Sequence, residues 1–451
     1  MSLDYVLPAA MFVSLFLLIF SGFPVAFVLG GVGIGFAGLG IALDLLVPAR
    51  LFLSAPRIWG SIADSLILVA VPMYIFMGNM LERSGVVQHL LDMLKYLLQN
   101  VRGGMAYTVV AMGTILAATT GIVGASVVMT AVLALPMMMQ LGYSRSITAG
   151  TIAASGTLGI IIPPSIMLVI MADMLSISVG DLFLGSLIPG LMLPLFYFVF
   201  LWCLFRLKPE TVPTAAKSAS IAPRQVARLV LTGVMPPILL IGAVLGSIFA
   251  GYATPTEASG VGALGALILA AFNRKLNRLT LSEALSESAA TVGMIFMIFA
   301  GATLFAYVFR LLGGEHAIIS LIESMNMGPW GLLLVLMIAI FIMGFFFDWI
   351  EIALIIFPIF GPIIAGLDFG EHVAGTQVLV WFAVLVAINL QTSYLTPPFG
   401  FALFYLRSVA PPQMHIKDIY RGIIPFVVLQ LSVLVLALLF PQLVLWLPFG
   451  S

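Results

Sequence analysis

Ser155–Met171 reads SGTLGIIIPPSIMLVIM. The stretch is apolar enough to lie in a bilayer, yet two adjacent prolines stand at its middle. A proline has no backbone N–H, and its ring meets the carbonyl four residues back. Pro163 and Pro164 are therefore expected to release the carbonyls of Gly159 and Ile160. Ile162 precedes a proline and is pushed out of helical backbone. Such backbone persists at membrane depth only where protein or a bound polar species satisfies it. Each interior proline costs a helix about 3 kcal/mol, so helix stability is given up here for some other end. Leu390–Tyr405, LQTSYLTPPFGFALFY, repeats the device: Pro397 and Pro398 are expected to release Ser393 and Tyr394. The two stretches read as half-broken helices framing one site for a small ligand and a cation.

Composition sets the class. The 451 residues are 62% hydrophobic and 8% charged, with a mean hydropathy of +1.21, where a soluble domain carries about 25% charged residues. The chain reads as an all-α polytopic membrane protein embedded in membrane lipid. A net charge of zero gives no reason to expect a nucleic-acid partner. The lone Cys203 excludes an internal disulfide and a cysteine metal cluster. His89, His316, His372 and His415 fall in polar connectors, which argues against a zinc or haem site in the bundle and against a Ser/His/Asp set. No phosphate-binding GxxxxGK[ST] loop is present, so ATP is not the expected energy source. The first basic residue is Arg50, so the N-terminus lacks the positive region of a cleavable signal.

Apolar spans of membrane-crossing length fall near 5–20, 23–43, 66–82, 147–171, 181–205, 228–249, 255–272, 287–310, 376–405 and 424–447. Two further stretches, 105–140 and 329–365, are too long for one crossing and break at their middles, so each is expected to form a re-entrant hairpin with its tip at the midplane. Counting positive charge supports this layout. With both termini outside, fifteen of the eighteen Lys and Arg lie on the cytoplasmic side and only Arg50, Arg57 and Arg310 on the outer side. Residues 85–104 and 314–328 are expected to lie along the interface as amphipathic arms.

An internal repeat accompanies this pattern. Pro24 pairs with Pro255, Gly85 with Gly314, Pro136 with Pro358 and Pro163–Pro164 with Pro397–Pro398, at offsets of 231, 229, 222 and 234. Residues 1–205 form one repeat, 206–227 a flexible cytoplasmic linker and 228–451 the second repeat. Five crossings and a hairpin per repeat place the halves in opposite orientation, the organisation of secondary transporters with a site at the repeat interface.

The candidate site takes its residues from both breaks and both tips. Thr119, Thr120 and Ser126 at the first tip, with Thr157 at the first break, offer neutral oxygens near released carbonyls, which suits a hard cation such as sodium. The plainer reading is packing of small residues between membrane helices. At the second tip Asp348 and Glu351 stand three apart, facing Thr392, Ser393 and Thr396. A carboxylate at the bilayer centre costs about 2.5–3.5 kcal/mol. Asp348 either ligates the cation or caps the second hairpin helix. Thr254, Pro255 and Glu257 read as a capping box with proline in the first turn. Asp173 reads as a solvated charge at the end of the first broken helix.

With these residues in place, TTGIVGASVVMT, SGTLGIIIPPS, GYATPTEASG, the Asp348 hairpin and YLTPPFGFALF together resemble the large membrane (DctM-like) subunit of tripartite ATP-independent periplasmic (TRAP) transporters, from about residue 5 to 447. The resemblance implies an elevator-type fold like that of the ion-transporter superfamily, sodium as a transported coupling ion, a small four-helix membrane partner, and a periplasmic binding protein delivering a small organic acid. It places the sodium regions on Gly121, Gly124 and Ser126 with Gly156, Thr157, Gly159 and Pro163, and on Gly344 and Asp348 with Thr392, Ser393, Thr396 and Pro397. Thr120, Ser165, Glu351 and Gly400 are the positions expected to face the solute. Many relatives carry proline and threonine after the hairpin aspartate, where Trp349 and Ile350 stand here. No basic residue falls at the midplane to meet a carboxylate. A self-sufficient sodium–dicarboxylate symporter is the alternative within transport. An intramembrane hydrolase using Asp348 and Glu351 is a remote one, and the chain is not expected to be an enzyme.

Overall fold

The computed structural model describes residues 3–120, 123–213, 223–324, 327–397 and 400–450, and among them every regular element is a helix. In the first half these are α1 (Leu3–Ile19), α2 (Val25–Ala42), α3 (Ser54–Ile62), α4 (Ala70–Arg83), α5 (Val86–Leu98), α6 (Gly104–Thr120), α7 (Val123–Gln140), α8 (Arg145–Gly156), α9 (Ile166–Leu175) and α10 (Val179–Leu207). In the second half they are α11 (Pro223–Leu229), α12 (Met235–Phe249), α13 (Pro255–Phe272), α14 (Arg278–Leu311), α15 (Gly314–Ser324), α16 (Pro329–Met343), α17 (Trp349–Ala365), α18 (Val378–Leu395), α19 (Phe401–Val409), α20 (Ile416–Leu439) and α21 (Gln442–Phe449). Each half runs through spanning helices, an arm (α5 or α15), a helical hairpin (α6–α7 or α16–α17), an interrupted helix (α8–α9 or α18–α19) and a closing helix. Pro163, Pro164 and Pro397 fall in the gaps of the interrupted helices, as the missing donors dictate.

Several boundaries differ from the sequence expectation. The third crossing, expected at 66–82, is split: α3 stops at Ile62 and α4 starts at Ala70. Ser65 holds the joint between them, accepting from the Leu68 N–H at 3.3 Å while donating to Asp173 at 2.7 Å. Its counterpart α14 is continuous over 34 residues, about 51 Å at 1.5 Å per residue. It begins at Arg278, not near 287, because its first turns are charged and Asn277 caps them, accepting from the Thr280 N–H at 2.8 Å. The last crossing starts at Ile416 and breaks at Pro441 before α21, where continuity to 447 was expected. The linker is also less free at its start than its composition suggests: Arg102 donates to the Pro209 carbonyl at 2.5 Å and the Ser144 N–H to the Thr211 carbonyl at 3.2 Å. Residues 214–222 lie outside the described residues.

Two packed groups organise the helices. In the first, α2 runs against α14 and α4 against α13. Small residues let these backbones approach: a Cβ on Gly33 would meet the Leu304 side chain at 3.3 Å. Asn79 of α4 donates to Ser288 of α14 at 2.9 Å, and Arg83 pairs with Glu283 at 2.7 Å and with Glu287. In the second group α6–α9 pack with α16–α20, and a Cβ on Gly150 of α8 would overlap the Gly422 carbonyl of α20. At its centre stands α18, buried from Val380 to Leu395. Its Asn389 amide donates to the Met337 carbonyl of α16 at 2.7 Å, and Trp381 donates to the Ala437 carbonyl of α20 at 2.9 Å. A polar group in such a helix costs free energy unless it finds a partner.

Candidate functional site

At the first break, α8 ends at Gly156, a single tight turn covers Thr157–Ile160, and α9 resumes at Ile166. The glycines are there for room. A Cβ on Gly156 would lie 2.4 Å from the Val127 side chain of α7, and one on Gly159 would lie 3.3 Å from the Ala117 carbonyl of α6. Both hairpin arms thus press on the break. The carbonyl expected to be open at Ile160 is closed, because Ser165 donates to it at 2.7 Å. Ser165 is fully buried and acts as a local cap. The Thr157 hydroxyl donates to the Ala154 carbonyl at 2.9 Å and accepts from Gln430 of α20 at 3.5 Å. Ser126 is buried and hydrogen-bonded. Gly121 and the side chains of Thr119 and Thr120 lie outside the described residues.

At the second break the expected residues meet closely. Gly344 closes α16, and the Ser393 hydroxyl of α18 occupies the place where its Cβ would stand. Three hydroxyls turn inward on their own helix. Thr392 donates to Ile388 at 2.8 Å, Ser393 to Leu390 at 2.7 Å and Thr396 to Thr392 at 2.8 Å. A hydroxyl that spends its proton this way keeps lone pairs for a cation. The Ser393 carbonyl, expected to be open, accepts the Thr396 N–H at 3.0 Å. Pro398, expected to release Tyr394, lies outside the described residues, while Pro397 is half-buried. Gly400 has φ +44°, and a Cβ on it would lie 2.9 Å and 3.0 Å from the carbonyl oxygens of Tyr394 and Thr396. Two carbonyls therefore converge beside a residue that must stay small.

Asp348 caps α17. Its side chain accepts from the Trp349 N–H at 2.6 Å and from the backbone of Glu351, and the Glu351 carboxylate accepts the Asp348 N–H at 3.2 Å. This is the reciprocal box that satisfies orphan donors at a helix start. The sequence left capping and ligation open, and the described geometry supplies the cap. Glu351, buried to 8% exposure, is engaged in the same box. Tyr394 was not anticipated. Its hydroxyl donates to Asp348 and accepts from the Trp349 N–H at 2.8 Å, so α18 is tied directly to the second tip. A tyrosine in an apolar run reads as core, and only its position one residue after Ser393 hinted otherwise.

Both tips and both interrupted helices line one cavity of about 100 Å³, which includes Gly124 of α7, Ile166 of α9, Asp348, Tyr394 and Tyr405 of α19. Met294 and Ile295 of α14 close its far wall. Gly124 abuts Tyr405: a Cβ there would lie 2.7 Å from the ring. Around this region Thr130 of α7, Ser155 of α8 and Gln391 of α18 carry buried side-chain polar atoms without a hydrogen-bond partner. Buried polar atoms are nearly always paired. Thr108 of α6 and Thr151 of α8 join these exceptions, and all five fall on elements flanking the two breaks. Among the described residues there is no group of three or more His, Cys, Asp and Glu that could hold a metal ion. Asp173 departs from the solvated end expected of it: it is half-buried and accepts from Ser65. The Thr254–Glu257 capping box is present as expected, with Glu257 accepting the Thr254 N–H at 2.8 Å.

Comparison with known proteins follows the same lines. The family model of the DctM component of tripartite ATP-independent periplasmic transporters matches residues 12–443. The chain is 31% identical over 383 residues to the C4-dicarboxylate TRAP transporter large permease protein DctM of Pseudomonas aeruginosa, covering 84% of this chain and 86% of that one. It is 26% identical over 441 residues to the ectoine/5-hydroxyectoine large permease UehC of Ruegeria pomeroyi, covering 97% and 98%. It is 27% identical over 435 residues to the sialic acid large permease SiaM of Vibrio cholerae, covering 93% and 97%. Among solved structures, the YdaH transporter of Alcanivorax borkumensis shares the fold at a TM-score of 0.61 and 15% identity, covering 90% of each chain.

Proposed function

The chain belongs to the DctM family of TRAP transporter large permeases, and from that premise we propose that it is the permease subunit of a sodium-coupled, binding-protein-dependent importer of an organic acid. One observation carries this reading. Two hairpin tips and two interrupted helices, one of each from either half of the chain, meet around a single cavity rather than facing lipid. Sodium would be held by what the second break offers: the hydroxyl oxygens of Thr392, Ser393 and Thr396 and the carbonyls beside Gly400, with the Gly156–Gly159 turn as the matching place in the first half. Asp348 acts there by fixing the tip through its cap and through Tyr394, while its charge favours a nearby cation. The solute would approach the same cavity, whose lining includes Gly124, Asp348, Tyr394 and Tyr405; Ser165, Glu351 and Gly400, the positions expected to face it, are not among the lining residues.

Movement follows from the grouping of helices. The group holding α6–α9 and α16–α20 carries the whole site, and the group holding α2, α4, α13 and α14 frames it. Sliding the first against the second, as an elevator, would expose the cavity to either side. The relatives' names support a substrate in the organic-acid class. The charge asymmetry supports both termini on the periplasmic side of the inner membrane, with residues 1–205 and 228–451 as inverted repeats about a cytoplasmic 206–227. The importer would work with a small four-helix membrane subunit and a periplasmic binding protein. Energetically, each charge moving down 100 mV yields about 2.3 kcal/mol, so two sodium ions entering with one monoanion are driven by the potential.

The test is uptake by proteoliposomes holding the chain with its small partner. Solute accumulation should require both an inward sodium gradient and the binding protein. Uptake that persists in choline overturns the coupling. Uptake without the binding protein favours a self-sufficient symporter instead.

A further inference from the structure

The sequence left three basic residues on the outer side, Arg50, Arg57 and Arg310, and the structure brings two of them, Arg57 and Arg310, to one cavity. Arg57 and Arg310 line a single cavity of about 300 Å³ between α3 and α14 on one wall and α9 and α17 on the other. The Arg57 guanidinium lies 4.6 Å over the ring of Tyr307, and the Tyr307 hydroxyl donates to the Arg50 carbonyl at 2.7 Å, which fixes the ring. Arg57 is exposed and forms no ion pair among the described residues. Arg310 pairs through Nε with Glu315 at 3.2 Å and reaches the Pro358 carbonyl of α17 at 3.4 Å with one terminal nitrogen. Ser61 and Thr303 add hydroxyls 3.1 Å apart. Asp173 is the one carboxylate in the lining, and Ser65 donates to it. Glu315 already partners Arg310 from beside the lining, so the guanidinium left without an ion pair among the described residues, and open to an anion, is that of Arg57. A second cavity, of about 400 Å³, adjoins it and shares Arg310, Met174 and Pro358, so Arg310 stands between the two.

We infer that this outer cavity is an entry vestibule that takes the carboxylate of the incoming solute on Arg57 and Arg310 before the solute reaches the tips. The inference rests on the importer reading and adds to it the cationic group that the midplane lacks. A guanidinium fork matches a carboxylate in two parallel hydrogen bonds, and a cavity of this size holds a small organic acid. The two cations belong to α14 of the framing group and to α3, which packs on α14, whereas the opposite wall belongs to α9 and α17 of the group that carries the site. A solute held here touches both groups at once, and Arg310 already reaches across to α17.

The test reads the cavity's potential without needing transport. In a Cys203→Ser background, Ala306→Cys places a reporter thiol on the lining of the full chain, held with its partner subunit in lipid. Its reaction rates with an anionic and a cationic methanethiosulfonate of similar size are compared, each normalised to a free thiol. The anionic reagent should be favoured. Arg57→Gln and Arg310→Gln should each lower the anionic rate and raise the cationic rate by about threefold, the effect of one charge near 7 Å in water. Arg57→Lys should keep the preference and Asp173→Asn should strengthen it. Succinate should slow the anionic reagent more than chloride of equal ionic strength does, and this difference should vanish in Arg57→Gln. A cation preference in the parent, rates unmoved by both arginine substitutions, or no succinate effect beyond chloride overturns the vestibule. Arg57 is exposed on a short helix, so its variant reads out even if Arg310→Gln misfolds. Sodium-driven uptake by the same preparations scores the importer reading separately, and it can stand while the vestibule falls.

Discussion

Gly344 has no room for a side chain, because the Ser393 hydroxyl occupies the place a Cβ would take. Gly344→Ala should therefore destabilise the protein by about 1–3 kcal/mol, the usual cost of overpacking. Removing the opposing hydroxyl in Gly344→Ala/Ser393→Ala should recover only part of that loss, because the residue 393 Cβ would still lie 2.5 Å from the new one. Melting temperatures of the parent, Gly344→Ala, Ser393→Ala and the double variant in detergent check the pair, and a double variant no more stable than Gly344→Ala would show that the two residues are not in contact. At this scale the sequence spoke unevenly. Gly344 and Ser393 were both legible, since small residues and hydroxyls stand out where an apolar run breaks. The Tyr394 hydroxyl was not, because an aromatic inside a hydrophobic helix has the same signature whether it packs or donates. Nor was the closure of the Ile160 carbonyl by Ser165: a proline shows which acceptor is released, never which nearby donor takes it.

Two capping boxes allow one local device to be compared in two settings. Thr254–Glu257 opens α13 at an exposed edge, and Asp348–Glu351 opens α17 inside the protein with Tyr394 added. Thr254→Ala should cost about 1 kcal/mol, the ordinary worth of an N-cap, and leave the sodium dependence of uptake unchanged. Asp348→Ala should cost more and abolish sodium-dependent uptake, since it frees the tip from α18 as well as uncapping α17. Melting and uptake measured on both variants decide this, and equal effects on uptake would count against a site at the second tip. The interrupted helix makes a complementary case. Pro163→Ala/Pro164→Ala restores two backbone donors and should leave a folded protein whose uptake falls at least tenfold; full uptake would mean that the break itself is dispensable. Hairpins and breaks were readable because proline pairs and over-long apolar runs have few physical explanations. The split between α3 and α4 was not, since the apolar run from Leu66 onward gives no sign that the Ser65 joint bonds to Asp173, 108 residues away.

For the whole molecule, the count of fifteen cationic side chains against three is the basis of the proposed orientation, with both termini in the periplasm. An impermeant reagent applied from the periplasm should reach tags added at both ends of the chain, and a protease site placed in 206–227 should be cut only from the cytoplasm. A terminus labelled only from the cytoplasm would remove one crossing from the scheme. The repeat pattern announced the two-fold organisation, whereas the lateral grouping of helices depends on contacts between residues hundreds of positions apart and left no periodic trace. One consequence concerns the surrounding lipid. Because α18 is wrapped by protein from Val380 onward while α14, at about 51 Å, is longer than a hydrocarbon layer of roughly 30 Å, changes in acyl-chain length should press on the frame and not on the proposed ion site. Thinner or thicker membranes should alter how fast the cargo group travels and leave its affinity for sodium nearly constant.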